Sequence, residues 1–555
     1  MPSCHRAIVI VACGALAATG VLAQAPAIRL TDVTAAVGVS FTHNNGAFGK
    51  KYLPETLGAG AAFLDFDNDG RQDLFLVNGA SWPGQPVSAS RAKLYRNAGP
   101  GKFVDVTARA GLSMDVYGMG VAAADFDNDG WQDLLVTAVG QNRLFRNTGS
   151  GTFVDVTARA GLGLRVGFST SAMWFDYDRD GHLDLLICNY VRWTPETDVR
   201  CSIDGTQKAY CTPEAYRGAT SWLFRNRGNG TFEDVTAKAG MFDATSKSLG
   251  VTLVEYDADP WPDVFIANDT QPNKLYRNNG NGTFTELGLK AGLALSEEGR
   301  ARAGMGVDAA DVDNSGTTTV VITNFSGEML GLYRPVGDGQ FQDAAPRSEV
   351  GRATRQTLGF GCFFFDVDLD GLQDLLVVNG HIDDTFTRAN SRVAYAEPPH
   401  LFHNRGRGQF TDIVSAIGGA FAQPKVGRGA AFADIDGDLD LDVVITTNGG
   451  PAALYRNDSP PGNRALRLHL RGVTSNRDGI GARIRVFAGR DRYARTVKTG
   501  SSYLSQSELP LTFGLGTATK ADRIVIEWPS GKTDELKDVA AGKAYTVVEG
   551  KGLAP

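Results

Sequence analysis

An acidic nonapeptide, D-x-D-x-D-x-x-x-D, recurs five times, each time immediately ahead of a short apolar run. Its copies begin at Asp65, Asp125, Asp176, Asp366 and Asp434. Numbering each loop from its first Asp, positions 1, 3, 5 and 9 are Asp65, Asp67, Asp69 and Asp73; Asp125, Asp127, Asp129 and Asp133; Asp176, Asp178, Asp180 and Asp184; Asp366, Asp368, Asp370 and Asp374; and Asp434, Asp436, Asp438 and Asp442. Four carboxylates so close in sequence repel one another unless a hard cation lies among them. Oxygen ligands at alternating positions, with a carbonyl near position 7, point to Ca²⁺; Mg²⁺ would keep more water, and softer ions would ask for His or Cys. An EF-hand is excluded, because position 12 is apolar in every copy (Leu76, Val136, Ile187, Val377, Ile445) and the flanks read as strands rather than helices. An Asp/Gly-rich turn with no metal accounts for one such loop but poorly for five in register.

The loops belong to a longer repeat. A Gly/Ala-rich strand precedes each loop, an apolar strand follows, and Leu-Tyr-Arg-Asn and Gly-x-Gly-x-Phe elements close the unit. The first of these recurs at Leu94–Asn97, Leu144–Asn147, Leu223–Asn226, Leu275–Asn278, Leu332–Pro335, Leu401–Asn404 and Leu454–Asn457. Seven units of four short strands, at a mean spacing of about sixty residues, predict an all-β fold: a seven-bladed β-propeller over residues 28–457. Small residues such as Gly58-Ala-Gly60 and Gly427-Arg-Gly429 mark the innermost strands, so each loop should join the first and second strands of its blade. Two loops are degraded. The fourth reads Glu255, Asp257, Asp259 and Asp263, with Pro260 where the turn wants Gly, and is expected to bind more weakly. The fifth offers only Asp311 and Asp313, with Thr319 at position 9, and should bind poorly if at all. Five Ca²⁺ sites are therefore expected, with a sixth in reserve.

Composition limits the alternatives. The formal charge of −7 includes the loop carboxylates; five bound Ca²⁺ would add about ten positive charges and bring the protein near neutrality. No basic stripe with interleaved aromatics suggests nucleic-acid binding. Residues 1–23 read as a secretory signal: Arg6, then an apolar stretch, then Val21-Leu-Ala23 as a cleavage site. No later segment is long and apolar enough to span a membrane. Periplasmic, cell-surface or extracellular placement follows, and it suits sites filled by millimolar calcium. Cys201 and Cys211, ten residues apart in a polar insertion, are expected to form a disulfide, while Cys188 and Cys362 fall on inner strands as buried thiols.

On the face opposite the metal loops, the connections between second and third strands vary. The third blade carries an insertion over 190–221 and the sixth over 380–399. Binding residues collect on such loops, and the candidates are Trp193, Tyr210 and Tyr216 in one and His381, Asp383, Asp384 and Arg388 in the other. Asn78, Asn189, Asn268, Asn324, Asn379 and Asn448 recur nearby, either as a ring that reads sugar hydroxyls or as strand-ending brackets. Nucleophile elbows, phosphate loops and zinc spacings are missing. The preferred expectation is an exported, non-enzymatic binding or adhesion module for a glycan or protein partner. The alternatives are an enzyme on a polysaccharide-type substrate centred on His381 and a scaffold within a cell-envelope assembly.

Past a linker at 458–465, residues 466–549 read as a small β domain. Here a resemblance appears. The repeats resemble FG-GAP/VCBS repeats. Asn476–Arg483, Gly500–Gln506, Phe513–Gly516 and Ile526–Gly531 resemble the ASPIC/UnbV domain. That pairing is the arrangement of the cartilage-acidic-protein family and its bacterial relatives, to which Tyr210-Cys211-Thr-Pro213 and Asn379-Gly-His381 are also similar. The resemblance implies an exported calcium-binding protein and supplies no ligand.

Overall fold

Small side chains decide which strand lies innermost, because that is where blades converge and space runs out. The computed structural model describes residues 28–88, 90–99, 102–202, 205–385, 392–460 and 462–554; the expected signal at 1–23 lies outside them. Each of the seven repeats forms a four-stranded antiparallel set. The first set runs outward through Ala61–Leu64, Asp73–Leu76, Lys93–Asn97 and Phe103–Asp105. Innermost strands of successive sets touch in chain order, and the last, Gly427–Ala433, returns to the first, so the ring closes as a propeller. The seventh blade takes its outermost strand, Leu30–Asp32, from the opposite end of the chain, paired with Ala453–Asn457. Closure therefore joins residues from both ends of the repeat region.

A polar staple links neighbouring blades. The Asn that ends each third strand donates its side-chain amide to the carbonyl at position 2 of the preceding blade's loop. The bonds are Asn97 to Ile435, Asn147 to Phe66, Asn226 to Phe126, Asn278 to Tyr177, Asn404 to Val312 and Asn457 to Val367, at 2.7–2.8 Å. Blade 5 has Pro335 at this place. Proline offers neither the amide side chain nor a backbone N–H, and the staple toward blade 4 is missing.

The C-terminal domain is two four-stranded sheets, and its placement was not foreseen. It sits against the metal-loop face. Asp125 N donates to Asp478 Oδ2 at 2.7 Å, Arg477 N to Asn128 Oδ1 at 2.9 Å, and Arg179 Nε to the Pro529 carbonyl at 2.7 Å. From there residues 497–508 run into the bore and engage the innermost strands. Thr499 bonds Trp174; Val307 N and Val121 N donate to the carbonyls of Ser502 and Leu504; Gln506 pairs with Ala61 and Phe63; Glu508 N donates to Phe432 O. Tyr503 packs edge-on against Phe360 of blade 6, ring centres 5.0 Å apart. This hub gives the inner glycines a sharper reason than crowding alone. A Cβ on Gly60 would lie 2.2 Å from the Leu504 carbonyl, and one on Gly429 2.4 Å from Ser505 Oγ.

Candidate metal centres

Each acidic loop turns back on itself because its backbone enters the left-handed region at positions 4 and 6. In the first loop these are Asn68 (φ 54°) and Gly70 (φ 83°); the second, third and sixth loops repeat the pattern. Position 1 fastens this turn: Asp65 accepts from the amides of Asp69 and Gly70, as Asp125 and Asp176 do from theirs. Position 9 fastens the loop to the sheet. Asp73 accepts from Asn97 N at 2.7 Å and Phe66 N at 3.1 Å, and Asp133, Asp184, Asp374 and Asp442 make the equivalent pair of bonds. Position 5 caps the turn by accepting from the amide two residues on (Asp69, Asp129, Asp180, Asp370, Asp438).

Position 3 is different. One oxygen of Asp67, Asp127, Asp178, Asp368 and Asp436, Oδ1 in every case, is buried without any hydrogen-bond partner. A buried carboxylate oxygen left unpaired is costly, and it recurs at one site in the five loops expected to bind and in neither degraded one. In the first, second, third and sixth loops, carboxylate oxygens from positions 1, 3 and 9 lie within 4.8 Å of one another. Burial, with help from neighbouring carboxylates, pushes Asp73 and Asp125 up to about 8 and holds Asp133, Asp184, Asp374 and Asp442 well above the usual carboxylate range. A divalent cation among them would favour the ionised form and use the orphaned oxygen. The donors are all oxygen in the first three loops and the seventh. This set fits Ca²⁺.

The arginine of the Leu-Tyr-Arg-Asn element covers positions 3 and 5. Arg225 reaches Asp178 at 2.7 Å and Asp180 at 3.0 Å; Arg96 and Arg146 bond their own pairs the same way. The seventh loop brings an additional carboxylate at position 7, Asp440, whose buried Oδ1 is also unpartnered. The fourth loop departs. Pro260 cannot take a left-handed conformation, and neither it nor Ala258 has positive φ. Glu255 leaves the cluster, accepting from Thr496 Oγ1 at 2.6 Å, with Arg483 Nε 3.4 Å away. Asp257 and Asp259 are held by Arg277, and Asp263 keeps its bond from Asn278 N.

On the opposite face the two insertions meet. Cys201 and Cys211 are disulfide-bonded, while Cys188 and Cys362 are buried free thiols. Trp193 packs against Tyr52 and Trp82, ring centres 5.3 Å from each, and Trp82 stacks on Tyr117 at 4.4 Å. Tyr210 donates its hydroxyl to Glu55 Oε2 at 3.0 Å and its amide to Asp383 Oδ2 at 3.2 Å; Tyr216 donates to Asp198 at 3.0 Å. Asp383 also pairs with Lys51 at 3.0 Å. His381 is 1% exposed, and burial together with the nearby Arg428 charge lowers it to about 4. Asp384 is exposed, and Arg388 lies outside the described residues. The recurrent asparagines act as brackets: Asn189, Asn268, Asn324 and Asn379 donate to Thr220, Pro272, Met329 and Pro398 carbonyls.

Sequence reasoning missed Tyr52, Glu55 and Trp82. Trp82 lies in a connection, 79–92, that is visibly longer than most; Tyr52 and Glu55 lie in no motif. Beside this cluster, between blades 2 and 3, opens a cleft of about 960 Å³ lined by Trp82, Tyr117, Trp193, Trp222, Arg165 and Phe242. Its wall is continuous because Val166–Phe168 pairs with Val139–Gln141, joining the two blades into one sheet.

Residues 472–554 match the family model ASPIC and UnbV, and residues 65–136, 125–187 and 255–322 match the FG-GAP-like repeat. Among curated proteins the chain is similar to cartilage acidic protein 1 of Homo sapiens, 25% identical over 504 residues, covering 88% of this chain and 62% of that one. The Xenopus tropicalis protein of the same name is 24% identical over 522 residues, covering 89% and 74%. The chain thus spans about three-fifths of the human relative. Among solved structures, an Agrocybe aegerita lectin recognising non-reducing terminal N-acetylglucosamine aligns at 17% identity and TM-score 0.39, over 64% of this chain and 79% of that one. YCF48 bound to D1 peptide aligns at 10% identity and TM-score 0.40, over 73% and 94%.

Proposed function

We propose that this chain, an FG-GAP-repeat protein closed by an ASPIC/UnbV domain and homologous to cartilage acidic protein 1, is an exported propeller braced by about five Ca²⁺ ions that binds a glycan on its insertion face. The observation that carries the metal assignment is the orphaned position 3 oxygen, present in the five loops with Asp at positions 1, 3, 5 and 9. Asp residues at those positions would hold each ion, with Asp257, Asp259 and Asp263 forming a weaker fourth-blade site. Bound Ca²⁺ would neutralise the turns, and the loop residues would hold the first and second strands of each blade in register.

The partner side follows from what is left uncovered. The terminal domain occupies the metal-loop face, so the opposite face, with its two insertions and aromatic cleft, remains open to a ligand. Aromatic faces beside charged groups such as Arg165 and Asp234 suit sugars, whose C–H faces stack while hydroxyls find polar partners. The expected leader and the Cys201–Cys211 disulfide support work outside the cytosol.

Calorimetric titration of metal-free protein should count five Ca²⁺; fewer than three would remove the basis of this reading. A glycan panel should yield binders that Trp222→Ala or Phe242→Ala abolishes. Binding only to protein ligands would shift the assignment to a protein-docking propeller.

A further inference from the structure

Blade 6 breaks the arginine rule, and the replacement is a residue able to ligate a metal. Where Arg96, Arg146, Arg225 and Arg277 clamp positions 3 and 5 of their loops, blade 6 has His403. Guanidinium has donors only and cannot ligate, whereas imidazole offers a lone pair. His403 is 5% exposed, and its Nε2 lies 3.0 Å from Asp368 Oδ2. Ligand atoms of His403, Asp368 and Asp370 all fall within 4.8 Å of one another, and Asp368 also belongs to the neighbouring trio with Asp366 and Asp374. Asp366, 1% exposed, differs from Asp65, Asp125 and Asp176: only its Oδ2 is capped by a loop amide, from Gly371, while Oδ1 is buried without a partner.

We propose that the sixth loop, which takes Ca²⁺ when only Ca²⁺ is supplied, is a mixed nitrogen–oxygen site that prefers a first-row transition ion such as Mn²⁺, Co²⁺ or Zn²⁺, ligated by His403, Asp368 and Asp370. Imidazole beside carboxylates ranks these ions above Ca²⁺, which takes oxygen almost exclusively. His403 Nε2 and Asp368 Oδ2 share a hydrogen bond at 3.0 Å that a bound ion would replace with two ligand bonds. The other loops have arginine in this place, which cannot ligate.

Co²⁺ is the probe, because its visible absorption reports nitrogen and oxygen ligation directly. Full-length protein in millimolar Ca²⁺ should retain about one equivalent of Co²⁺ through dialysis. His403→Arg installs the residue of the sibling blades and should weaken Co²⁺ binding at least tenfold, while thermal stability in Ca²⁺ stays unchanged. His403→Gln gives the same loss of nitrogen ligation if the arginine variant fails to fold. His400→Gln, which alters the other imidazole of the same strand, should leave the Co²⁺ spectrum intact. Co²⁺ binding equal in wild type and both His403 variants, or no retained Co²⁺ in wild type, would overturn the assignment. Calcium serves only as competitor, so the outcome does not depend on how many other loops hold it.

Discussion

Blades 2 and 5 are built on the same plan and differ in three side chains that fail together. In blade 2, Asp133 takes the Asn147 and Phe126 amides, Asn147 staples to Phe66 of blade 1, Arg146 covers Asp127 and Asp129, and Asp127 leaves an oxygen free. In blade 5, Thr319 replaces the position 9 Asp, Pro335 replaces the Asn, and Ser315 replaces the position 5 carboxylate. Arg334 forms no ion pair with the remaining Asp313, and its buried Nε and Nη2 are unpaired. The turn itself survives, since Asp311 still accepts from Ser315 and Gly316 amides. Turn geometry and ion site are thus separable: a loop can keep its shape on two backbone bonds and lose the chemistry that made the shape useful.

Chelation should separate the two blades most. Each site held at a hundred times its dissociation constant contributes about 2.7 kcal/mol, so stripping Ca²⁺ should lower the melting temperature by on the order of 10 °C or more. Hydrogen exchange should rise across 125–133 and stay level across 311–319; equal changes would erase the distinction. Next in size, Asp133→Ala should cost about 3 kcal/mol, because it strands two buried amides and removes a ligand, whereas Thr319→Ala should cost less than about 1 kcal/mol. Denaturant midpoints with and without Ca²⁺ would measure both. Asn147→Ala cuts the staple, the bond to the Gln132 carbonyl and the bond from the Gly149 amide, and about 1–2 kcal/mol is expected in the same assay, with the calcium count unchanged. The smallest effect is a gain. Pro335→Asn supplies the missing donor toward blade 4 and should stabilise by about 0.5–1 kcal/mol; a loss there would mean that the blade 5 strand no longer reaches its neighbour.

The loops and the ring order were legible in the sequence because the contacts that define them are short-range. Position 1 bonds four and five residues ahead, and position 9 bonds back to position 2. Each copy of the motif therefore carries its own geometry, and repetition multiplies the signal. The fourth loop shows the limit: its carboxylates are visible, but the consequence of Pro260, with Glu255 turned out to Thr496 of the terminal domain, depends on a residue 241 positions away. Residues 500–506 carry part of the ASPIC/UnbV resemblance, yet the bore-filling role of 497–508 is invisible in sequence, since its partners, from Ala61 to Phe432, are scattered over the whole ring and leave no periodicity. The cluster of Tyr52, Glu55 and Trp82 was hidden for the same reason: three separate segments meet there and no single one is marked.

The filled bore bears on how the protein comes into being. Inner-strand amides such as those of Phe63, Val121 and Val307 find their partners in a segment synthesised after all seven blades, so nascent blades must wait, half satisfied, for residues 497–508. A fragment cut at the linker would be a washer without its bolt. Its exposed inner edges would invite pairing with other chains, and a soluble, well-behaved truncation should not be taken as the native ring.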